Sequence, residues 1–211
     1  MLIAIEGIDG AGKNTLTTAL AGRLGAAGRT VARAAFPAYG DSLPADLADE
    51  ALHGGLGDLA DSAWAMAVLF ALDRRERAAA VAGLAAAHDV VLLDRWVASN
   101  AAYTWARTGD AGTPARIAEL EFDRIGLPRP DLTVLLAAPA ELAERRARGR
   151  EAADAARTRD RYERDRRLQR DTAAAYERLA AGGFGGPWVR VPADAAPEES
   201  ARRVLAALPG R

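Results

Sequence analysis

The stretch Gly7-Ile8-Asp9-Gly10-Ala11-Gly12-Lys13 leaves this chain the fewest options. It follows the apolar run Leu2-Ile3-Ala4-Ile5, which is too short for a helix and reads as a buried parallel strand. A strand, a Gly-rich turn, a lysine and then a helix form the layout of a phosphate-binding P-loop. The glycines let the backbone curl so that successive N–H groups point inward, where a Cβ would obstruct an approaching phosphate. The helix that follows, about Lys13 to Ala27, adds unpaired N-terminal N–H groups and the positive end of its dipole. Lys13 supplies a point charge for terminal phosphate oxygens. The expected phosphate contacts are therefore Gly7, Asp9, Gly10, Ala11, Gly12, Lys13, Asn14 and Thr15.

Composition sharpens this reading. Of 28 basic residues only Lys13 is a lysine, and the other 27 are arginine. The single compact ammonium thus stands where the loop wants one. The strict pattern places Ser or Thr after the lysine to ligate Mg²⁺. Here Asn14 stands there, and Thr15 is turned ~100° further round the helix. An amide oxygen is a poorer ligand, so the metal is expected to lean on a carboxylate, with Asp9 the first candidate.

At 211 residues the chain has room for one domain with a buried core. It has no cysteine, which removes disulfides and thiolate metal sites, and its two histidines are too few for a His-rich site. No apolar run reaches the ~18 residues of a membrane span, and the N-terminus does not read as a signal segment. The expectation is a cytoplasmic protein without a membrane partner. A net charge of −1 argues against a nucleic-acid binder. The charge is uneven, however: from Arg145 to Arg170 eleven arginines face five acids.

Strands and helices then alternate. Thr30–Ala35 reads as a second strand that stops at Phe36-Pro37-Ala38-Tyr39-Gly40. Loops at the carboxyl ends of parallel strands form the ligand crevice, so Phe36 and Tyr39 either face a substrate or only pack the loop. Pro44 to about His53 is a short helix with proline in its first turn. Asp58 is expected to cap a long helix to about Ala87, on which spacing alone assigns Phe70 to the core, with Arg74 on the same face. Val90–Leu93 is a third strand delivering Asp94-Arg95, an acid placed as in a Walker-B strand, or as half of a structural ion pair. Ser99, Asn100 and Tyr103 follow; Asn and Tyr three apart share a helix face able to read a base edge and pack a ring.

Pro114 to Ile125 reads as helix, Leu132–Ala137 as a fourth strand and Pro139 to Ala147 as the helix entering the basic arm. A long helix to about Ala181, a strand at Trp188–Val191 and an amphipathic helix at Glu198–Leu208 complete the chain. The expected fold is α/β: a three-layer, doubly wound, parallel five-stranded sheet of the P-loop NTPase kind. One domain, 1–211, carries a mobile Arg-rich lid over about 146–163. Arg146, Arg150 and Arg157 are expected to close over donor phosphates and exclude water; the bland alternative, a solvated helix, suits Arg164 to Arg170.

Five stretches together resemble the thymidylate (dTMP) kinase family, and within it the mycobacterial form. They are Glu6 to Lys13; Phe36-Pro37 with Tyr39; Leu69-Phe70 with Asp73-Arg74; Asp94-Arg95 with Ser99, Asn100 and Tyr103; and the arginine segment ending Asp160-Arg161-Tyr162-Glu163. The resemblance covers Met1 to about Val191. It implies transfer of the γ-phosphoryl group of ATP to dTMP, a step of dTTP synthesis, with Mg²⁺ as cofactor and no covalent enzyme intermediate. It also implies small-molecule nucleotides as partners and a homodimer.

The implied roles follow by position. Phe70 stacks on thymine, Arg74 and Asn100 bond its edge, and Tyr103 packs under the deoxyribose. Arg95 and Tyr39 hold the acceptor phosphate, with Phe36 and Ser99 in the same pocket. Lys13 and lid arginines, Arg150 among them, hold the donor, so that Lys13, Asp9, Arg95 and Arg150 form the catalytic set. Asp9 and Glu163 stand in the metal's shell, and Tyr162 closes over the nucleoside. Two departures stand out: Asn14 is neutral where some members carry an arginine, and Trp96 follows Asp94-Arg95 where the family has a smaller ring. The rival readings are a UMP- or CMP-type monophosphate kinase, a P-loop switch and a P-loop ligase. A guanine-reading Asn-Lys-x-Asp motif is impossible in a chain whose one lysine is Lys13.

Overall fold

The computed structural model describes residues 1–153 and 160–208, without the side chains of 150–153. Five strands form one parallel sheet: β1 (Leu2–Glu6), β2 (Val31–Ala35), β3 (Val90–Asp94), β4 (Leu132–Ala137) and β5 (Trp188–Pro192). Their spatial order is β2-β3-β1-β4-β5. Side chains explain the order. The inner strands are apolar runs: Ile3, Ile5, Leu92, Leu93 and Val134 are fully buried. The outer strands β2 and β5 carry exposed arginines, Arg33 and Arg190, and a charge on an edge strand discourages pairing with another chain. Register pairs Ile5 with Asp94 and with Val134, so the ends of β1, β3 and β4 lie together.

The helices are α1 (Lys13–Ala26), α2 (Leu43–Leu52), α3 (Ala63–Ala87), α4 (Val97–Thr108), α5 (Thr113–Ala118), α6 (Ala140–Ala153), α7 (Arg161–Arg164), α8 (Arg166–Ala181) and α9 (Pro197–Ala206). Helix α1 packs against α9, while α3, α4 and α8 pack together, and each group contacts the sheet. These two helical layers and the sheet give the doubly wound three-layer architecture. None of the described helices is long and apolar enough to cross a membrane.

Two expected boundaries move. The long helix does not start at Asp58, whose side chain makes no cap bond; Leu59–Asp61 is a separate 3₁₀ turn. Ser62, in an extended conformation, caps α3 by accepting the Ala65 N–H at 3.1 Å. Asp and Ser cap equally well, so local preference did not choose between them. The turn buries Ala60 in a second apolar cluster with Leu52, Met66, Tyr162 and Leu168. The expected helix at Pro114–Ile125 likewise divides: α5 stops at Ala118, and Glu119–Arg124 winds as a π-helix.

The main core should dominate stability. Leu92→Ala, at a fully buried inner-strand position, is expected to cost ~2–5 kcal/mol in denaturant unfolding. Val68→Ala, on α3 and 42% exposed, should change stability by no more than ~0.5 kcal/mol. Equal midpoint shifts for the two would contradict this placement of the core.

Candidate functional site

A cavity of about 420 Å³ opens at the carboxyl ends of the strands. One end is an anion cradle. Gly12 precedes α1 in a left-handed conformation, no side chain caps the helix, and its first turn holds no acid. The terminal N–H groups are therefore open to a ligand. Lys13 is buried, and its Nζ donates to the carbonyls of Gly7 at 3.1 Å and Ile8 at 3.2 Å. The loop glycines answer to the protein as well as to a phosphate. A Cβ on Gly10 would lie 2.1 Å from the Ala143 carbonyl of α6, and one on Gly7 would lie 2.7 Å from that of Leu136. The close approach of α6 and β4 thus requires glycine before any ligand arrives.

The other end is a wall for a flat, polar-edged group. Phe70, Arg74 and Leu52 line it with Asn100 and Tyr103. Arg74 is buried against Glu121, donating from Nε at 2.5 Å and Nη2 at 2.9 Å. Asn100 Nδ2 donates to the same carboxylate at 2.7 Å and to the Ala67 carbonyl at 2.9 Å. The rings of Tyr103 and Tyr162 lie parallel at 6.1 Å. Arg107 donates to the Tyr162 hydroxyl and to the carbonyls of Ala60 and Asp61, tying α7 to the turn before α3.

Between the two ends lies a charged knot. Asp9 accepts from Arg95 and, at 2.7 Å, from the Tyr103 hydroxyl. Burial alone would raise the Asp9 carboxyl, but Arg95 and Lys13, with Tyr103, overcome it and hold it well below the usual carboxylate range. Arg95 also donates to Gly7 O at 3.1 Å, Ser99 Oγ at 3.1 Å and Tyr176 at 3.3 Å. Its backbone sits at φ 66°, a strained value for a side chain of this size. For Lys13, burial and then Arg95 lower the pKa to about 8, against the pull of Asp9 and Asp94.

Sixteen of the expected residues line this one cavity: Asp9, Gly10, Gly12, Lys13, Asn14, Thr15, Phe36, Tyr39, Phe70, Arg74, Arg95, Ser99, Asn100, Tyr103, Tyr162 and Glu163. Others stand back from it. Gly7 and Ala11 lie outside the cavity lining, where their carbonyls accept from Lys13 and Arg146. Arg146 does not reach into the cavity: its guanidinium clamps the carbonyls of Ala11 at 3.0 Å and Ala193 at 3.1 Å. Arg157 lies outside the described residues, as does the side chain of Arg150. Phe36 is buried against Trp96, ring centroids 5.0 Å apart, while Tyr39 is 47% exposed.

Glu121, Tyr176 and Arg107 belong to none of the motifs in the sequence. Each looks like an ordinary residue on an amphipathic helix, and only the tertiary pairing marks it. Asp94 was singled out, and no hydrogen bond from the described residues reaches its carboxylate on the cavity wall.

With this geometry in view, comparison with known proteins is specific. The family profile described as thymidylate kinase matches residues 5–204. A thymidylate kinase of Mycobacterium tuberculosis (strain H37Rv) is 57% identical over 200 residues, covering 93% of this chain and 94% of that protein. One of Xanthomonas euvesicatoria pv. vesicatoria (strain 85-10) is 40% identical over 171 residues, covering 80% of this chain and 70% of the relative.

The buried lysine sets a pH dependence. Its lowered pKa means that the charge is present below pH 8 and is lost as pH rises through about 8. Calorimetric affinity for a nucleoside triphosphate should therefore fall above that pH. In Lys13→Arg, whose side chain stays protonated, the falling limb should vanish up to about pH 10. A wild-type profile flat through pH 9.5 would show that the Lys13 charge does not hold the phosphates.

Proposed function

The chain belongs to the thymidylate kinase family, enzymes that phosphorylate dTMP, and we propose that this cavity carries out the transfer with the donor phosphates of ATP at the loop and thymine at the far wall. The products are dTDP and ADP. The observation that carries the reading is one continuous cavity running from an uncapped helix N-terminus and a buried lysine to an aromatic, hydrogen-bonding wall. A nucleotide switch or hydrolase needs only the first end. A kinase for a second nucleotide needs both, held at a fixed separation.

In this reading Lys13 and the α1 N–H groups hold the donor, and Arg95 turns the acceptor phosphate toward it. Asp9 keeps the Arg95 guanidinium in place, because the two are paired directly. Phe70 stacks on the base while Tyr103, anchored on Asp9 and backed by Tyr162, fills the space under the sugar. The acceptor phosphate is already anionic, so no strong general base is required. The protein's task is alignment, charge neutralisation and exclusion of water.

The carboxylates present fit Mg²⁺, which commonly takes one or two protein oxygens together with phosphates and water. Among the described residues no group of three or more acidic, histidine or cysteine side chains could hold a metal by itself. Asp94, with no hydrogen bond to its carboxylate from the described residues, and Asp9 both line the cavity beside Glu163. These residues would hold the ion, which when bound would neutralise charge on the phosphoryl oxygens. Arginines of the segment about 146–163, Arg150 and Arg157 among them, are assigned to the donor as a lid. The reading extends to a cytoplasmic homodimer, as the family resemblance implies.

ADP release with Mg-ATP and a panel of dTMP, dUMP, UMP, CMP, AMP, GMP and no acceptor tests the proposal. dTMP should be preferred strongly, and Lys13→Ala should cut turnover at least ~10²-fold, the usual loss for one preorganised donor. Preference for another monophosphate would cancel the base-reading roles. ADP release that ignores the acceptor would cancel the kinase reading.

A further inference from the structure

The wall assigned to the base has a polarity, and one residue sets it. We propose that Glu121 determines base specificity by fixing Arg74 as a donor and Asn100 as an acceptor toward the cavity, a pattern that takes a 4-oxo pyrimidine and rejects a 4-amino one. The proposal rests on the reading above that Arg74 and Asn100 face the base.

Donors and acceptors at this wall are few enough to count. Asn100 has two amide N–H groups, and both are engaged: one on Glu121 Oε1 at 2.7 Å and one on the Ala67 carbonyl at 2.9 Å. A carbonyl and a carboxylate carry no hydrogen to give, so the amide nitrogen is the atom that faces them. The amide oxygen is thereby turned the other way. It accepts from Thr104 Oγ1 at 3.3 Å and keeps a lone pair. Arg74 has five N–H groups and no acceptor. Glu121 takes the one on Nε at 2.5 Å and one on Nη2 at 2.9 Å, leaving the rest. Both side chains line the cavity beside Phe70.

The pair thus offers a donor next to an acceptor. A 4-oxo pyrimidine brings O4, an acceptor, next to N3–H, a donor, and each finds its complement. A 4-amino pyrimidine brings N–H groups against the guanidinium and a bare N3 against the amide oxygen, so both contacts fail. A buried site that leaves its polar groups unmatched discriminates strongly. Glu121 is itself fully buried and is delivered by the π-helix Glu119–Arg124. Single π-turns in otherwise α-helical segments recur at functional sites.

The test is Glu121→Gln, read as the ratio of kcat/KM for dTMP to that for dCMP. Glutamine keeps the shape but replaces one acceptor oxygen by an NH₂. Asn100 then has reason to turn its amide over and show N–H groups to the cavity. The ratio should fall ~10- to 100-fold, the range for one hydrogen bond to a charged group, with KM for ATP unchanged. Because both substrates are measured on one preparation, the ratio is indifferent to the fraction of protein folded. An unchanged ratio, with both activities falling together, would overturn the proposal and leave Glu121 a structural residue.

Thr104→Val removes only the hydroxyl on Asn100 Oδ1 and should leave the ratio nearly intact. A fall as large as that of Glu121→Gln would assign the amide orientation to Thr104 and overturn the proposal by a second route. Arg74→Gln separates this inference from the reading beneath it. If Arg74→Gln leaves both the ratio and KM for dTMP unchanged, Arg74 does not face the base and that reading falls. If Arg74→Gln lowers the ratio and Glu121→Gln does not, only the role of Glu121 falls.

Discussion

The site depends on a carboxylate that never meets water. Glu6, the last residue of β1, is fully buried and collects four hydrogen bonds. Oε1 accepts the backbone N–H groups of Trp96 at 2.8 Å and Ser99 at 3.3 Å; Oε2 accepts the hydroxyls of Ser99 at 2.6 Å and Tyr176 at 2.9 Å. Burial raises its pKa, with Ser99 and Arg95 working against the rise. One side chain thereby ties β1 to the start of α4 and to α8, three elements far apart in sequence. An uncompensated charge at this depth would cost several kcal/mol. The bonds are the condition for its being there, and removing any partner would disturb the rest.

What this network supports is Arg95. Its guanidinium rests on Ser99 and Tyr176, the same two hydroxyls that bond Glu6, and on Asp9 in the loop. Its backbone lies in the left-handed region, worth ~1–3 kcal/mol of strain that only an over-determined surrounding maintains. The Arg95 N–H donates to the Ile5 carbonyl, so the residue leaves the sheet from within its hydrogen-bond pattern and turns sharply over the loop. The Arg95 cation on the cavity wall is therefore set by β1 and β3 together. In the proposed reading, loop and acceptor would share one rigid base, which in-line transfer needs.

The elements were legible because their periods are local properties. Uniform apolar runs mark β1, β3 and β4, and the glycine run with Lys13 marks the cradle. Sixteen of the expected residues line one cavity because motif spacing preserves position within an element. The misses share a cause. Glu121 lies among Glu119 and Asp123 on what reads as a surface helix, and the π-turn that swings it inward leaves no mark in a 3.6-residue period. Ser62 and Asp58 offer the same capping chemistry, and the choice was made by burial of Ala60 between them. Arg146 looked like a lid arginine because charge runs carry no information about which guanidinium finds a carbonyl. Partner identity is a tertiary property, and single-chain patterns do not encode it locally.

Arg146 fixes the root of α6. Its guanidinium joins the P-loop at Ala11 to the turn after β5 at Ala193. One turn earlier on the same helix, Ala143 packs so closely on Gly10 that no side chain fits between them. The first half of α6 is thus wedged and bonded against the glycine loop that leads into Lys13. It cannot swing without dragging that loop away from Lys13. Ala147 is the last buried residue of α6 among those described. The root thus holds the loop in shape before any ligand arrives.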